Sequence, residues 1–310
     1  MIKITEKDSN IFLESEELRV VIEPFSGGKI SSFFDKAGNT EWFFQDFRKQ
    51  FSPEKGFSYH DLSGFDECFP TVAACEYSSG PLKGLELGDH GLLWQKEWNT
   101  KVDLNKVITC CDIPELQCHF ERVCRFETPS CLRLDYTILN FGQNQMPFIY
   151  SAHSFLNATK TCCLELPKRM RDVYIYVASE NSGFKSNTWI KNKVLKEIVC
   201  KKNLSAKKES FVKFFSDKLR TNSAGLHNLK TGKTLTVEFD HDHLPHLGVL
   251  VNEGYDGLGD GDFKGKLLVA LEPTTSIGDD IQTAEKTQTL KTIPAGESVK
   301  FWIKIDIKKD

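Results

Sequence analysis

Short runs of alternating apolar and polar residues dominate the chain. They share a high content of aromatic and β-branched residues, which favour strands. They occupy residues 12–24, 116–127, 131–141, 172–178, 234–240, 246–252, 266–273 and 299–307. A period of two places successive side chains on opposite faces of a strand, so the pattern predicts many short strands.

Turn signals separate these runs, and helical periodicity is scarce. "KAGN" at 36–39 predicts a hairpin between 28–35 and 40–45. Only 208–219 and 279–287 predict short helices. Because the strands do not alternate with helices, a parallel α/β sheet is disfavoured. The pattern predicts an all-β protein, a large antiparallel β-sandwich with few short helices, and residues 1–310 form a single predicted domain since no flexible linker interrupts them.

Composition and charge narrow the function. Hydrophobic residues make up 40% and charged residues 27% of the 310 residues, and the formal net charge is −3. These values favour a globular protein with neither nucleic acid nor membrane as a partner. The N-terminus lacks the apolar core of a secretory signal, so a cytoplasmic location with reduced cysteines is expected. Nucleotide-binding motifs and CxxC pairs are missing from the sequence, so no cofactor is expected. The oligomeric state cannot be predicted.

Four segments break the strand pattern with charged or imidazole side chains. Residues 64–75 read "GFDECFPTVAAC" and place Asp66 and Glu67 among aromatic residues. A charged pair in such surroundings is costly unless it is solvated or has partners. The segment is therefore either a surface loop over buried aromatic residues or the rim of a pocket whose carboxylates accept hydrogen bonds from hydroxyl groups.

The other three segments leave similar alternatives. "ELGDHGLLWQKEW" at 86–98 contains His90 and Trp94: a turn histidine with core tryptophans, or a site where aromatic faces pack on sugar rings. "IYSAHSFLN" at 149–157 contains His153, which is either a core histidine or a proton donor facing a pocket. Glu272 ends the apolar strand before Pro273, either at a solvated strand end or facing a pocket.

Taken together and in order, these motifs resemble a known family. "DHGLLW", "YSAHSF" and "ALEPTTSIGDD" on an all-β chain of this length are similar to the aldose 1-epimerase (galactose mutarotase-like) superfamily. "GGKISSFFD" resembles that family's first hairpin, and "IPAGESVKFWIKIDI" resembles its closing strand. The resemblance covers nearly the whole chain. It implies a twisted antiparallel supersandwich with a site in a groove on one sheet.

The resemblance also implies roles for individual residues. His153 matches the family's general acid, Glu272 its general base, and His90 a second histidine that helps bind the sugar. Asp66, Glu67 and Trp94 are predicted to contribute to substrate binding at the rim. One departure stands out: many family members carry a substrate-binding arginine shortly after the first Phe-Pro, where this chain has Ala73 and Ala74. The missing cation argues against a sugar phosphate.

The implied activity is the interconversion of the α and β anomers of an aldose. Glu272 takes the proton of the anomeric hydroxyl and a protonated His153 supplies the ring oxygen, so the ring opens and recloses on either face. His153 and Glu272 are expected to face one another with room for a sugar ring between them. The partner is a small-molecule carbohydrate whose identity the sequence does not give.

Two alternatives remain open. The same sandwich can be a non-catalytic carbohydrate-binding protein, because fold does not fix function. His241, His243 and His246 in "FDHDHLPHLG" form either a polar loop between strands or a transition-metal site, since the first two would share a face of a strand. "GYDGLGDGDFKG" at 254–265 lacks the EF-hand pattern and predicts a long turn near the groove.

Overall fold

Among the residues that the structure describes, all neighbouring strands of the sheets pair in the antiparallel sense. The computed structural model describes residues 2–46, 53–194, 204, 208–256 and 263–309. The strands of these residues form two large sheets and two small ones. The predicted all-β class is therefore confirmed, because strands paired in antiparallel sheets make up most of the regular structure and the helices are few and short.

The larger sheet carries the predicted site strands at its centre. Its strands form one continuous series, and one further short strand pairs with a member of that series in a hairpin. In spatial order they are β1 (Lys3–Lys7), β2 (Asn10–Glu14), β3 (Leu18–Glu23), β4 (Lys29–Asp35) with β5 (Thr40–Glu41), β6 (Phe65–Cys68), β14 (Ser151–Asn157), β22 (Leu267–Thr274), β21 (His246–Glu253), β18 (Ser210–Ser216), β16 (Asp172–Ala178) and β17 (Thr188–Lys191).

The second large sheet has eight strands among the described residues. In spatial order these are β15 (Cys162–Glu165), β19 (Ser223–Asn228), β20 (Lys233–Phe239), β24 (Ser298–Lys309), β12 (Cys131–Asn140), β11 (Cys118–Thr128), β10 (Lys106–Ile113) and β9 (Asn99–Asp103). Two further pairs join β13 (Met146–Phe148) to β23 (Lys291–Ile293) and β7 (Cys75–Glu76) to β8 (Glu86–Leu87).

Among the described residues, helical structure is confined to short segments, including residues 192–194. The helix α1 spans Ile281–Lys286, and Asp280 caps it by accepting a hydrogen bond from the Thr283 amide. Short 3₁₀ turns cover Pro53–Lys55, Phe57–Tyr59, Pro114–Leu116 and Glu180–Ser182. The helix predicted at 279–287 is confirmed, since a capping aspartate at this position satisfies amides that the first turn leaves free.

The main core lies between the two large sheets. Side chains alternate between buried and half-buried along β11 and β12, as expected for strands with one face on the core. The Tyr150 ring, from the segment leading into β14, lies 4.6 Å from the Phe301 ring of β24. Contacts of this kind join the two sheets into one apolar interior.

The central strands of the larger sheet are buried on both faces. Almost every residue of β14, β18, β21 and β22 is buried. One face rests on the main core, and the other is covered by loops and a second apolar cluster that includes Phe57, Trp94, Phe155 and Phe263. The cavity described below lies under this cover.

Two local predictions have different outcomes. The hairpin at "KAGN" is confirmed, because β4 pairs with β5 through Phe34–Glu41 and Asp35–Thr40. The helix predicted at 208–219 is wrong: Ser210–Ser216 form strand β18. Its aromatic and β-branched residues favour a strand, and its lysine is buried by ion pairs with residues that lie far away in the sequence.

The helices also bear on membrane contact. Of those in the described residues, none is both long and apolar enough to cross a bilayer. The nine cysteines that the structure describes are free thiols.

Candidate functional site

A cavity of about 230 Å³ opens on the outer face of the central strands. Its apolar wall is formed by aromatic and aliphatic side chains, chiefly Phe57, Phe155, Phe211, Leu250 and Phe263. Its polar wall is formed by Ser58 and by five titratable groups, Asp89, His90, His153, Lys213 and Asp279. Ligand pockets combine an apolar lining with a few polar groups in this way. The volume is below the range of about 300–1,000 Å³ found for drug-sized ligands, so the cavity suits one small molecule.

His153 lines this cavity, and Glu272 lies beside it behind the cavity wall. The antiparallel ladder between β14 and β22 pairs Ser154 with Leu271, so His153, just before Ser154, lies level with Glu272, just after Leu271. His153 Nε2 lies 3.9 Å from Glu272 Oε1. The expectation of a sugar ring between the two groups is therefore wrong, because the gap admits a single oxygen atom at most.

Burial distinguishes the two groups. The His153 side chain is 4% exposed and contributes to the cavity wall. The Glu272 side chain is fully buried and lies behind the wall. The Oε1 atom of Glu272 and the Nδ1 atom of His153 make no hydrogen bond to the described residues. Both groups thus keep unused hydrogen-bonding capacity beside the cavity.

Lys213 was not identified by sequence analysis and is the closest cation to Glu272. Its Nζ lies 2.9 Å from Glu272 Oε2 and 2.8 Å from Asp279 Oδ1. The side chain reaches the cavity from β18 and is almost completely buried. A lysine between two large apolar residues gave the only sequence signal, and the helix interpretation of that segment obscured it.

Burial controls the protonation of this cluster. Burial raises the pKa of Glu272, and the nearby Lys213 ammonium opposes this shift. Burial lowers the pKa of His153 well below its ordinary value, and the charges of His90 and Lys213 lower it further. Burial alone would also lower the pKa of Lys213, but Asp279 and Glu272 outweigh this effect, so that pKa is raised and the ammonium persists.

These directions correct the expected state of His153. A protonated imidazole is expected for a general acid, and the nearby Glu272 carboxylate favours the charged form. In the resting site the cost of burying a charge is larger than that attraction, so the imidazole is neutral.

Asp279 is attached to the loop in which the resemblance leads one to expect an arginine. Its backbone oxygen accepts hydrogen bonds from the amides of Val72 (2.9 Å) and Ala73 (2.7 Å). It also accepts one from Thr71 Oγ1. Val72 and Ala73 themselves line the cavity with short side chains.

His90 reaches the same cavity from a tight turn. Its backbone is left-handed at φ 59°, and its amide donates to the carbonyl of Val72. A β-carbon on the following Gly91 would lie 2.2 Å from the Phe69 carbonyl oxygen, so only glycine fits. The His90 ring stacks on Phe57 at 3.5 Å and meets His153 edge-on at 4.7 Å.

Trp94 lies behind the cavity wall. It is buried, its Nε1 donates to the Asp89 carbonyl, and its ring packs edge-on against Phe57 at 5.3 Å. The expectation that Trp94 contacts the sugar directly is not met by this position. Trp94 instead supports the turn that carries His90.

Asp66 lies beneath the cavity and not at its rim, as had been expected. It pairs with His153 in the ladder between β6 and β14, so both side chains lie on the same face. Its carboxylate is buried and binds the Lys29 ammonium at 2.5 Å. Burial raises the pKa of Asp66, and Lys29 opposes the shift. This buried ion pair occupies the carboxylate that had been assigned to the ligand.

Glu67 points to the opposite face, into the core between the sheets. Its Oε1 accepts hydrogen bonds from Arg122 (2.8 Å) and Tyr136 (2.9 Å), and its Oε2 accepts one from Tyr150 (2.6 Å). All four side chains are buried. The placement of Glu67 at a pocket rim is therefore wrong, since a one-residue step along a strand reverses the face.

The histidines at 241–246 do not form the strand that a metal site had suggested. His241 and His243 lie in a turn between β20 and β21, and His243 Nδ1 lies 2.8 Å from Asp240 Oδ2. His246 is buried in β21 with its Nδ1 bonded to the Ser216 carbonyl. Among the residues that the structure describes, no three His, Cys, Asp or Glu side chains are grouped to hold a metal ion.

Two other features bear on the extent of this site: the predicted turn at 254–265, whose Phe263 lines the cavity, and a second depression on the surface. Residues 257–262 of the turn predicted at 254–265 lie outside the described residues. A more open depression of about 720 Å³ is lined by residues such as Glu6, Phe25 and Glu97, and none of the predicted site residues lines it.

Solved structures resemble this chain in fold, whereas the sequence comparisons find no match. No protein-family model matches the chain, and no curated protein matches it in sequence. Among solved structures, the Slr1438 protein of Synechocystis sp. PCC 6803 matches with a TM-score of 0.73 at 15% identity, covering 100% of this chain and 96% of that one.

Two further structures carry descriptions that name a family. One, from Escherichia coli K12 and described provisionally as an aldose 1-epimerase, has a TM-score of 0.68 at 13% identity and covers 100% of this chain and 99% of that one. The other, a galactose mutarotase-like protein from Clostridium acetobutylicum, has a TM-score of 0.69 at 14% identity and the same coverage. At such identities the likeness concerns architecture, and the chain has the galactose mutarotase-like fold that its sequence motifs predicted.

Proposed function

We propose that this protein interconverts the α and β anomers of an aldose, with His153 and Glu272 as the acid–base pair. The observation that carries the proposal is the 3.9 Å separation of His153 Nε2 and Glu272 Oε1 beside a cavity. Two oxygens bonded to one carbon lie close enough together for each to form a hydrogen bond of about 2.8 Å with one atom of this pair. The anomeric hydroxyl and the ring oxygen of a sugar can therefore each contact one of the two groups.

The reaction needs only one proton on this pair. Ring opening removes a proton from the anomeric hydroxyl and delivers one to the ring oxygen; the C1–C2 bond then rotates, and closure reverses both transfers. Since the resting imidazole is neutral and burial raises the pKa of Glu272, the one proton of the active form is on Glu272 before ring opening and on His153 after it, so each group acts as acid in one direction and base in the other.

The buried position of Glu272 is compatible with this chemistry. Catalytic hydrogen bonds are often long in empty sites and shorten when the substrate binds. His90 lies against His153 in the cavity wall and is available to a sugar hydroxyl. The aromatic side chains of the opposite wall suit the apolar face of a sugar ring.

The test is anomer exchange measured by polarimetry and by exchange NMR over a panel of neutral aldoses. We expect interconversion well above the buffer rate for at least one sugar. Glu272→Gln and His153→Gln should each lower it by about 10²–10⁴-fold, the usual contribution of a positioned acid or base. Lys208→Met is the matched control, because Lys208 pairs with Glu253 and neither residue lines the cavity. Equal rates in the wild type and Glu272→Gln would contradict the proposal.

A second candidate function is carbohydrate binding without catalysis. Full burial of Glu272 favours it, as does the Phe57 ring that covers one face of His90. In that case a sugar would stabilise the protein in a thermal-shift assay, and anomer exchange would stay at the buffer rate for every sugar that binds.

A further inference from the structure

Lys213 is a charged group of the cavity wall that the proposed acid–base pair does not use. Its ammonium lies between the carboxylates of Glu272 and Asp279, at 2.9 and 2.8 Å. A charged side chain is stable in a buried position only when partners of opposite charge lie close to it. The charge of Lys213 is therefore already satisfied before a ligand enters.

Before a ligand enters, only part of this trio forms the cavity wall. Lys213 and Asp279 line the cavity, whereas the Glu272 side chain is fully buried behind them. A ligand that disturbs Lys213 or Asp279 consequently acts on Glu272 through the shared ammonium. Of the titratable groups facing Glu272 from other elements, His153 comes from β14, and His90 comes with Asp89 from the turn after β8.

Asp279 is fixed in place independently of its side chain. Its backbone oxygen accepts the amides of Val72 and Ala73 and the hydroxyl of Thr71. Replacing its carboxylate by an amide therefore leaves these attachments intact. The loop at Val72 and Ala73 brings no cation of its own, so among the described residues lining the cavity Lys213 is the one lysine or arginine.

We propose that Lys213 is a positioning residue that sets the charge and orientation of Glu272. In this proposal the ion pair of Asp279 with Lys213 keeps the ammonium from binding a ligand, and the cavity therefore disfavours anionic sugars. The inference rests on the proposed function only in taking a sugar as the ligand. Removing Lys213 and removing the charge of Asp279 must then affect Glu272 in opposite directions.

The first test follows the Glu272 carboxyl carbon by ¹³C NMR as a function of pH. Lys213→Met should raise the pKa of Glu272, because the ammonium that favours the carboxylate is gone. Asp279→Asn should lower the pKa of Glu272, because a competing carboxylate is gone and Lys213 is left to Glu272 alone. Lys208→Met should leave it unchanged. Shifts of the same sign in the first two variants, or no shift in either, would overturn the positioning role.

The second test compares binding of the best-bound aldose of the panel with its 6-phosphate and its uronic acid, by ligand-observed NMR. We expect the wild type to bind the neutral sugar at least about tenfold more tightly than either anion, since unpaired like charges disfavour binding. Asp279→Asn should reduce or reverse this preference by freeing Lys213. Equal affinity of the wild type for neutral and anionic sugars, an unchanged ratio in Asp279→Asn, or binding of none of the three would overturn the proposed selectivity.

Neither test uses turnover. A protein that passes both and leaves anomer exchange at the buffer rate would contradict the proposed epimerase activity, while the roles of Lys213 and Asp279 would stand.

Discussion

Gly248 lies directly opposite Glu272 in the ladder between β21 and β22. A β-carbon at position 248 would lie 3.3 Å from Glu272 Oε2 and 3.1 Å from the Phe215 ring. The bare backbone of β21 thus lets the Glu272 carboxylate lean across that strand to Lys213 on β18. A glycine in the middle of a buried strand is otherwise unfavourable, which points to close approach as its reason.

Gly248→Ala should therefore displace the Glu272 carboxylate by a few tenths of an ångström. We expect kcat for anomer exchange to fall by up to about 10²-fold with little change in KM, because small misplacements of catalytic groups are costly. Gly88→Ala is the control, since the nearest atom to its new β-carbon is 3.9 Å away. Wild-type kcat in Gly248→Ala would show that this contact does not position Glu272.

The pH dependence of kcat/KM should be bell-shaped. Below the lower limb both His153 and Glu272 hold protons and no base remains; above the upper limb neither holds one and no acid remains. Because the two groups lie 3.9 Å apart, the limbs belong to the pair. Initial rates from about pH 4 to 10, corrected for buffer catalysis, test this. A flat profile would be inconsistent with one shared proton.

His153 itself should remain neutral in the resting protein at pH 6.5. A free histidine is about half protonated at this pH. Burial lowers the pKa of His153, so its imidazole should be neutral under the same conditions. The ring carbon shifts of His153, assigned with the His153→Gln variant, report this directly. Half protonation at pH 6.5 would mean that the attraction of Glu272 outweighs burial.

Glu67 should stabilise the fold and leave ligand binding unchanged. Glu67→Gln strands the buried Arg122 guanidinium, and removing one partner of a buried pair costs about 3–5 kcal/mol of the free energy of unfolding. The double variant with Arg122→Met should lose less than the sum of the single losses. Urea denaturation measures these values. Glu238→Gln, which breaks an exposed pair with Lys308, should cost no more than about 1 kcal/mol.

His246 should make the fold less stable in mild acid. Burial lowers its pKa from 6.5 to about 4. The unfolded state therefore binds more protons between these values, and stability decreases as the pH falls below 6.5. From pH 7 to pH 5 this contribution amounts to about 2 kcal/mol. His246→Gln should lose this part of the pH dependence, whereas His243→Gln in the exposed turn should keep it.

Much of the fold follows from local pattern. Alternation predicted most of the strands, although the run at 12–24 is divided between the paired strands β2 and β3, and turn chemistry predicted the hairpin at "KAGN". The order of the motifs predicted the galactose mutarotase-like fold, which the structural neighbours share. These features could be predicted because side-chain period and turn preference act over a few residues.

The candidate site depended on contacts between distant parts of the chain. The sequence selected His90, His153 and Glu272, and the folded chain brings His90 and Glu272 to the ring of His153. The sequence could not show which face of the sheet Asp66 and Glu67 point to. Neighbouring residues of a strand point in opposite directions, and only the pairing of β6 with β14 fixes which of the two faces the core.

Lys213 shows most clearly what tertiary structure alone decided. Taken by itself, its segment predicted a short helix. In the folded chain the segment is a central strand, and Glu272 and Asp279 balance the buried ammonium. Local sequence determined the strands and the types of reactive side chain. Strand register and long-range charge pairing determined which of those side chains are buried, which are ionised and which line the cavity. The reason is that burial and Coulomb energy depend on spatial neighbours, and these can lie far away in the sequence.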